Sequence, residues 1–194
     1  KANYQNKLTP QEAGRQLKEE NRDTPFYTNV GERKLIFKDN HPYFINSKGK
    51  EANLSWQDYG LPNLEKIRVN ELPEYTPKTK EKYFDWWKNN SKNGIAVVKD
   101  ILGNEVVLND KFKDHILEKT SENRFQFGTE TIQILKKPDE VWSNKEQGTV
   151  YIKYFESGTL KVAVRDGEVK TIFKLHSEDS GELKFARRGL LLHK

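Results

Sequence analysis

The stretch TVYIKYFESGTLKVAVRDGEVKTIFKLHSEDSGELKFARRGLLL, running from Thr149 to Leu192, decides the fold. It holds four segments rich in β-branched and aromatic residues: TVYIKYF, TLKVAVR, EVKTIFKL and LKFARRGLLL. Between them stand Glu156-Ser157-Gly158, Asp166-Gly167 and Asp179-Ser180-Gly181. Gly and short polar residues tolerate the backbone conformations that tight turns need. The middle two segments alternate well between apolar and polar, as strands with two unlike faces do. The pattern predicts an antiparallel meander.

Upstream the period changes. KFKDHILEK after Asp110 and TETIQILKK before Pro138 carry helical spacing, with Phe112 and Ile116 on the inner side of the first helix, His115 close to them, and Asp110 as its expected cap. Before them, IAVVKD and NEVVLND flank Leu102-Gly103-Asn104, a hairpin signal. Helices followed by an antiparallel sheet predict an α+β fold. The N-terminal part reads differently. Thr9-Pro10-Gln11-Glu12 is a capping box with Pro at the first helical position, opening a short polar helix. ERKLIFKDNHPYFINSKGKEANLSW reads as a small β-meander turning at Asp39-Asn40 and Lys48-Gly49, and LPNLEKIRVNELPEYTPKT as a linker. Thr79-Lys80-Glu81 opens a helix, KEKYFDWWKNN, with Gly94 as the expected stop. These changes predict an accessory region over 1–91 and a second unit over 92–194.

Composition narrows the chemistry. The chain has 194 residues, no Cys and a net charge of +5. Disulfides, thiol catalysis and Cys-based zinc sites are excluded. No apolar run approaches the ~20 residues that cross a bilayer, so no membrane partner is expected. From Lys92 onward 18 basic residues face 16 acidic ones, so any phosphate site there must be local rather than a property of bulk charge. No P-loop, G-x-G-x-x-G, H-E-x-x-H or G-x-S-x-G motif occurs. His41, His115, His176 and His193 are too widely spaced for a helical metal pair, so no metal and no cofactor are expected. What remains is His, Arg, Lys, Thr and Glu chemistry. Cleavage of RNA fits that set, because the 2′-hydroxyl is the substrate's own nucleophile. The protein then supplies a base, an acid and cations around the phosphorane. Imidazole suits either proton transfer, and the planar guanidinium matches two phosphate oxygens.

The order of several pieces carries a resemblance. VKDILGNEVVLNDKFKDHI places a D-x-x-G-N hairpin before a helix with an Asp-His pair. Arg124 follows a polar break, then come ILKKPDEVW, YIKYF, VKTIF with a central Thr171, and the terminal ARRGLLLHK. From Val98 to Lys194 the chain resembles the barnase/EndoU/colicin/RelE-like (BECR) nucleases found at the C-termini of phage head-morphogenesis proteins and polymorphic toxins. The resemblance implies a toxin-like, metal-independent endoribonuclease. It puts His115 in the helix-borne His position as general base or acid. Thr171 takes the hydroxyl position of the penultimate strand, Arg124 the basic position after the helix, and Arg187 or Arg188 that of the last strand. It further implies RNA, tRNA among the options, as substrate, a cognate immunity protein as partner, and action in a bacterial cytoplasm after delivery by secretion or a phage particle. The other reading is a phage structural or adaptor protein whose nuclease-like fold is inactive and binds a protein partner.

Strand parity adds candidates for substrate binding. Tyr151, Lys153 and Phe155 share a face, which sets Lys153 among aromatics. Lys170, Ile172, Lys174 and His176 share another, opposite Val169, Thr171, Phe173 and Leu175, so His176 joins Thr171 only across a bulge. By residue type alone these positions have plainer uses. His115 could be a half-buried helix residue, Thr171 a β-former, Arg124 a solvated loop residue, and Lys153 and Lys174 an outer face. Arg187-Arg188 could be a charged strand edge. Trp86 and Trp87 read as packing, and His41 and His193 as solvent residues.

Overall fold

Helical spacing at Tyr83 and Trp87 and strand alternation on either side of it sort the chain into two sheets joined by packed helices. The computed structural model describes residues 25–30, 32–38, 41–52, 54–59, 72–175 and 181–194. The helix expected after Thr9, most of the linker and His176 lie outside the described residues.

The N-terminal sheet has four strands in the order β1-β2-β3-β4: Pro25–Val30, Arg33–Lys38, His41–Ile45 and Glu51–Ala52. Its β1 was not legible as a strand. Leu35, Phe44 and Leu54 are buried and join the same apolar core as the rest of the protein. The Gly189 N–H donates to the Leu54 carbonyl at 3.1 Å, which ties this sheet to the C-terminal strands.

Helix α1 spans Lys80–Asn90, and the Thr79 hydroxyl caps it by accepting from the Lys82 N–H. It ends at Ser91, whose N–H donates to the Trp87 carbonyl, and not at Gly94, which lies in the turn that follows. Tyr83 is fully buried and donates to the Lys113 carbonyl, so α1 packs into the core of the C-terminal unit.

The hairpin β5 (Ile95–Lys99) and β6 (Glu105–Asn109) forms where expected. The D-x-x-G-N motif is its turn. One Asp100 carboxylate oxygen accepts from the Leu102 and Asn104 N–H groups, and the other accepts from the buried Tyr151 hydroxyl. Helix α2 (Asp110–Glu118) follows directly, capped by Asn109 rather than Asp110, because it is the Asn109 side chain that accepts from the Phe112 N–H. Short helices α3 (Phe125–Gly128) and α4 (Thr131–Lys136) complete the helical layer. Gly128 allows close approach: a Cβ there would stand 2.7 Å from the Tyr83 ring and 3.1 Å from Ile116 Cγ2. Gly128→Ala is expected to cost about 1–3 kcal/mol by overpacking, read as a lower urea midpoint. An unchanged midpoint would mean that Tyr83 relaxes freely.

The large sheet contains β7 (Glu140–Asn144), β8 (Gly148–Phe155), β9 (Gly158–Arg165), β10 (Glu168–Lys174) and β11 (Leu190–His193). Its order is β11-β7-β8-β9-β10-β6-β5. It is mixed rather than purely antiparallel, since β10 meets β6 in parallel at Glu168↔Val107. The segment expected as the last strand divides: Glu182–Ala186 form a short helix, α5, and only Leu190–His193 pair with β7. β7, in ILKKPDEVW, was missed as a strand because four of its five residues are buried, so it shows no alternation. The fold is α+β.

Candidate active site

Three side chains from three elements converge. The core residues Phe112 and Ile116 fix the rotation of α2 and bring His115 beside β10. In β10 the register slips between Val169 and Thr171. Lys170 is the extra residue of this bulge, and it reverses the faces that simple alternation gives. Val169 and Ile172 oppose Val164 and Val162 and are buried on one face. Thr171 opposes Ala163 and Phe173 opposes Lys161, so Thr171, Phe173, Ala163 and Lys161 share the other face. Thr171 is therefore not on the face of Val169, as parity predicts. The bulge precedes Thr171 and leaves the parity between Thr171 and the following residues unchanged.

His115 Nε2 lies 3.1 Å from Thr171 Oγ1. Arg124 Nη1 donates to the same hydroxyl at 2.7 Å and stands 3.5 Å from His115 Nε2. A guanidinium only donates, so its approach favours the tautomer with Nε2 as acceptor and the imidazole proton on Nδ1. Thr171, taking a bond from Arg124, is free to give its own proton to Nε2. Arg124 is itself held from behind. Its Nε donates to Glu122 Oε2 at 2.6 Å, and its guanidinium lies 5.5 Å from the Phe173 ring centre. Its side chain is 11% exposed, which limits screening of its charge. Burial pushes the His115 pKa below the ordinary imidazole value, and the Arg124 and Lys119 charges push it further down, against Glu118 and Glu122. The lowered pKa favours the neutral ring at pH 7. A neutral imidazole beside an anchored guanidinium and a hydroxyl is suited to take a proton from a nucleophile next to a phosphate.

The other sequence candidates are placed elsewhere. Arg187 is 1% exposed and forms a forked ion pair with Glu140, Nε to Oε1 at 2.7 Å and Nη2 to Oε2 at 2.9 Å. Glu140 belongs to β7, three strands from β10, roughly 14 Å at the ordinary strand spacing. Arg187 is thus an interior ion-pair residue at the end of α5, not the last-strand cation that the resemblance implies. Lys153 opposes Leu160, which opposes Lys174, so both lysines lie on the face away from Thr171. Lys153 approaches Asp139, and Lys174 lies over the Tyr75 ring. Arg188 is part-exposed, with its guanidinium 5.5 Å from the Phe185 ring centre and its carbonyl accepting from Asn144. His193 is a half-buried β11 residue, not a solvent-exposed one.

Sequence reasoning missed Lys161. This residue is 5% exposed in β9 and donates to Gln147 Oε1 at 2.6 Å. Its amine lies 4.9 Å from the centre of the same Phe173 ring that Arg124 covers. The available signal was a lone lysine inside the run TLKVAVR. Among the described residues no group of three His, Asp or Glu side chains could hold a metal ion.

No curated protein and no solved structure matches the chain. The sequence model of the phage-Barnase-EndoU-ColicinE5/D-RelE like nuclease2 family matches residues 85–194, which takes in α2, Arg124, the bulge in β10 and the whole large sheet. With more than half of its length covered by that match, the chain belongs to the phage-associated barnase/EndoU/colicin E5/D/RelE-like nucleases.

Proposed function

We propose that the protein is a metal-independent endoribonuclease that cleaves by attack of the 2′-hydroxyl on the adjacent phosphorus. The observation that carries this reading is the cluster of His115 Nε2, Thr171 Oγ1 and Arg124 Nη1, all within 3.5 Å of one another. Neutral His115 takes the 2′-hydroxyl proton. As charge builds on the phosphorane, the Thr171 hydroxyl and Arg124 turn from each other to its oxygens, where charge-assisted bonds are strongest. Glu122 and Phe173 keep the guanidinium in place during that exchange. A substrate that carries its own nucleophile matches a site composed of a base, a donor and a cation. The family membership supports nuclease chemistry in general.

The test is incubation of the whole chain with structured and unstructured RNA, with and without EDTA. Cleavage that survives chelation and leaves 2′,3′-cyclic phosphate and 5′-hydroxyl ends is expected. Activity lost on chelation and restored by magnesium, or cleavage of DNA at a similar rate, would remove the mechanism. A toxin role follows from the same reading, with a cognate immunity protein as partner and tRNA among the substrate options. Expression in bacteria should then be harmful for the parent chain and harmless for His115→Ala.

A further inference from the structure

Lys161 occupies a position where a lysine is costly. Its strand neighbours Leu160 and Val162 are fully buried, and it is 5% exposed itself. Burial of an ammonium group is unfavourable unless partners replace its water. The partners here are the Gln147 side-chain carbonyl at 2.6 Å and the rings of Phe173 and Phe185, centred 4.9 and 5.6 Å from the amine. A leucine or methionine would fill such a site without that cost.

Its placement relative to the candidate site is specific. Thr171 opposes Ala163, and Lys161 is two residues from Ala163 on the same strand and face. Lys161 and Thr171 are therefore diagonal cross-strand neighbours, a separation of about 7–8 Å that long side chains bridge. Gln147 adjoins the start of β8, where Thr149 and Val150 oppose Val164 and Ala163. The hydrogen bond to Gln147 thus draws the amine along β9 towards the level of Ala163, on the β8 side of that strand. The Phe173 ring is shared with Arg124, so one aromatic side chain contacts both cations.

We propose that Lys161 is the general acid of this site, protonating the 5′-oxygen as it leaves while His115 deprotonates the 2′-hydroxyl; this rests on the ribonuclease reading above. The balance is complete. The 2′-O–H proton passes to His115 Nε2, the 2′-oxygen bonds to phosphorus, and the P–O5′ bond breaks. O5′ takes a proton from the Lys161 ammonium, and both side chains return to their starting forms by exchange with solvent. Burial supports the role by bringing the amine down to about 8, against the field of Glu182 on α5, which acts to raise it. Such an ammonium is still charged at neutral pH, yet it is a better acid than an exposed lysine. Among the described residues two cations share its rings, Arg124 at Phe173 and Arg188 at Phe185.

The experiment uses two otherwise identical RNAs, one with an ordinary linkage and one with a 5′-bridging sulfur at the scissile position. A thiolate leaves without protonation. Lys161→Met in the whole chain should cut the ordinary RNA about 10²- to 10⁴-fold more slowly and the sulfur-bridged RNA close to the parent rate. Lys161→Arg keeps the cation, guards against a folding defect, and should show the same rescue, since a guanidinium does not release its proton. His115→Ala should stay slow on both RNAs. An equal loss on both RNAs for the Lys161 variants would make Lys161 a binding or packing group, and no loss would remove it from the reaction. A parent chain that cuts neither RNA would overturn the ribonuclease reading itself.

Discussion

Replacing His115 by Ala is expected to slow RNA cleavage by about 10²- to 10⁴-fold, the usual worth of one acid–base group. The residue is placed for this role by two independent restraints. Phe112 and Ile116 fix its helix from within, and Thr171 and Arg124 fix the ring from outside. Removing a half-buried imidazole leaves that core in place, so the variant should melt near the parent and still bind RNA. The loss should therefore fall on kcat rather than KM. The pH profile tests the same assignment. Burial and the Arg124 charge lower the His115 pKa, so the neutral base persists below the ordinary imidazole value of ~6.5. Activity is lost as pH falls through that lowered pKa, and the acid limb of kcat/KM should lie on the acid side of ~6.5. Arg124→Ala removes one cause of the shift, so its acid limb should move upward in addition to any loss of rate. His193→Ala is the control, because β11 lies four strands from β10, roughly 19 Å. Near-normal cleavage by His115→Ala, with His193→Ala inactive, would sink the assignment.

What the sequence made legible follows from which signals are local. The turns at Glu156-Ser157-Gly158 and Asp166-Gly167 and the hairpin at Leu102-Gly103-Asn104 are encoded by their own residues, and the strands around them form as read. Two errors came from structure that has no local signature. Lys170 is an ordinary strand residue in sequence, yet as the bulge it takes Thr171 off the face of Val169, where alternation puts it. Alternation has no signal for that; it does set Lys174 opposite Thr171, as the structure has it, whereas the face of Lys153 relative to Thr171 is decided by strand pairing. The other error came from burial on both faces. β7 and most of β8 have interior residues on either side, so polarity no longer marks direction. The same effect hid Lys161, whose significance depends on an aromatic ring from the neighbouring strand. His115, Arg124 and Thr171 were nominated through the order of motifs, and their contact within 3.5 Å is a tertiary fact that no single motif contains.

Arg187 shows how a basic residue near the end of the chain can be read for the wrong purpose, and its replacement has the largest expected effect on stability. Arg187 and Glu140 are 1% and 6% exposed, so the pair is removed from water. The guanidinium is bound through two bonds and lies 5.0 Å from the Trp56 ring centre, which joins the N-terminal segment to β7 and α5. Glu140 is shared further, accepting from Trp142 Nε1 at 2.9 Å and from the Tyr154 hydroxyl at 2.8 Å. Burial and the Glu140 charge push the Tyr154 phenol far above its ordinary pKa, so it remains a donor at any working pH. Arg187→Met would leave a buried carboxylate without its cation and should cost about 3–5 kcal/mol. For a chain of this size that lowers Tm by on the order of 10 °C. Adding Glu140→Gln removes the stranded charge while keeping an oxygen for Trp142 or Tyr154. The double variant should therefore melt above Arg187→Met alone. The fraction that remains folded should cleave RNA normally, since Arg187 touches none of His115, Arg124 or Thr171. A variant that melts like the parent but has lost cleavage would return Arg187 to the phosphate and overturn its place as an interior ion pair.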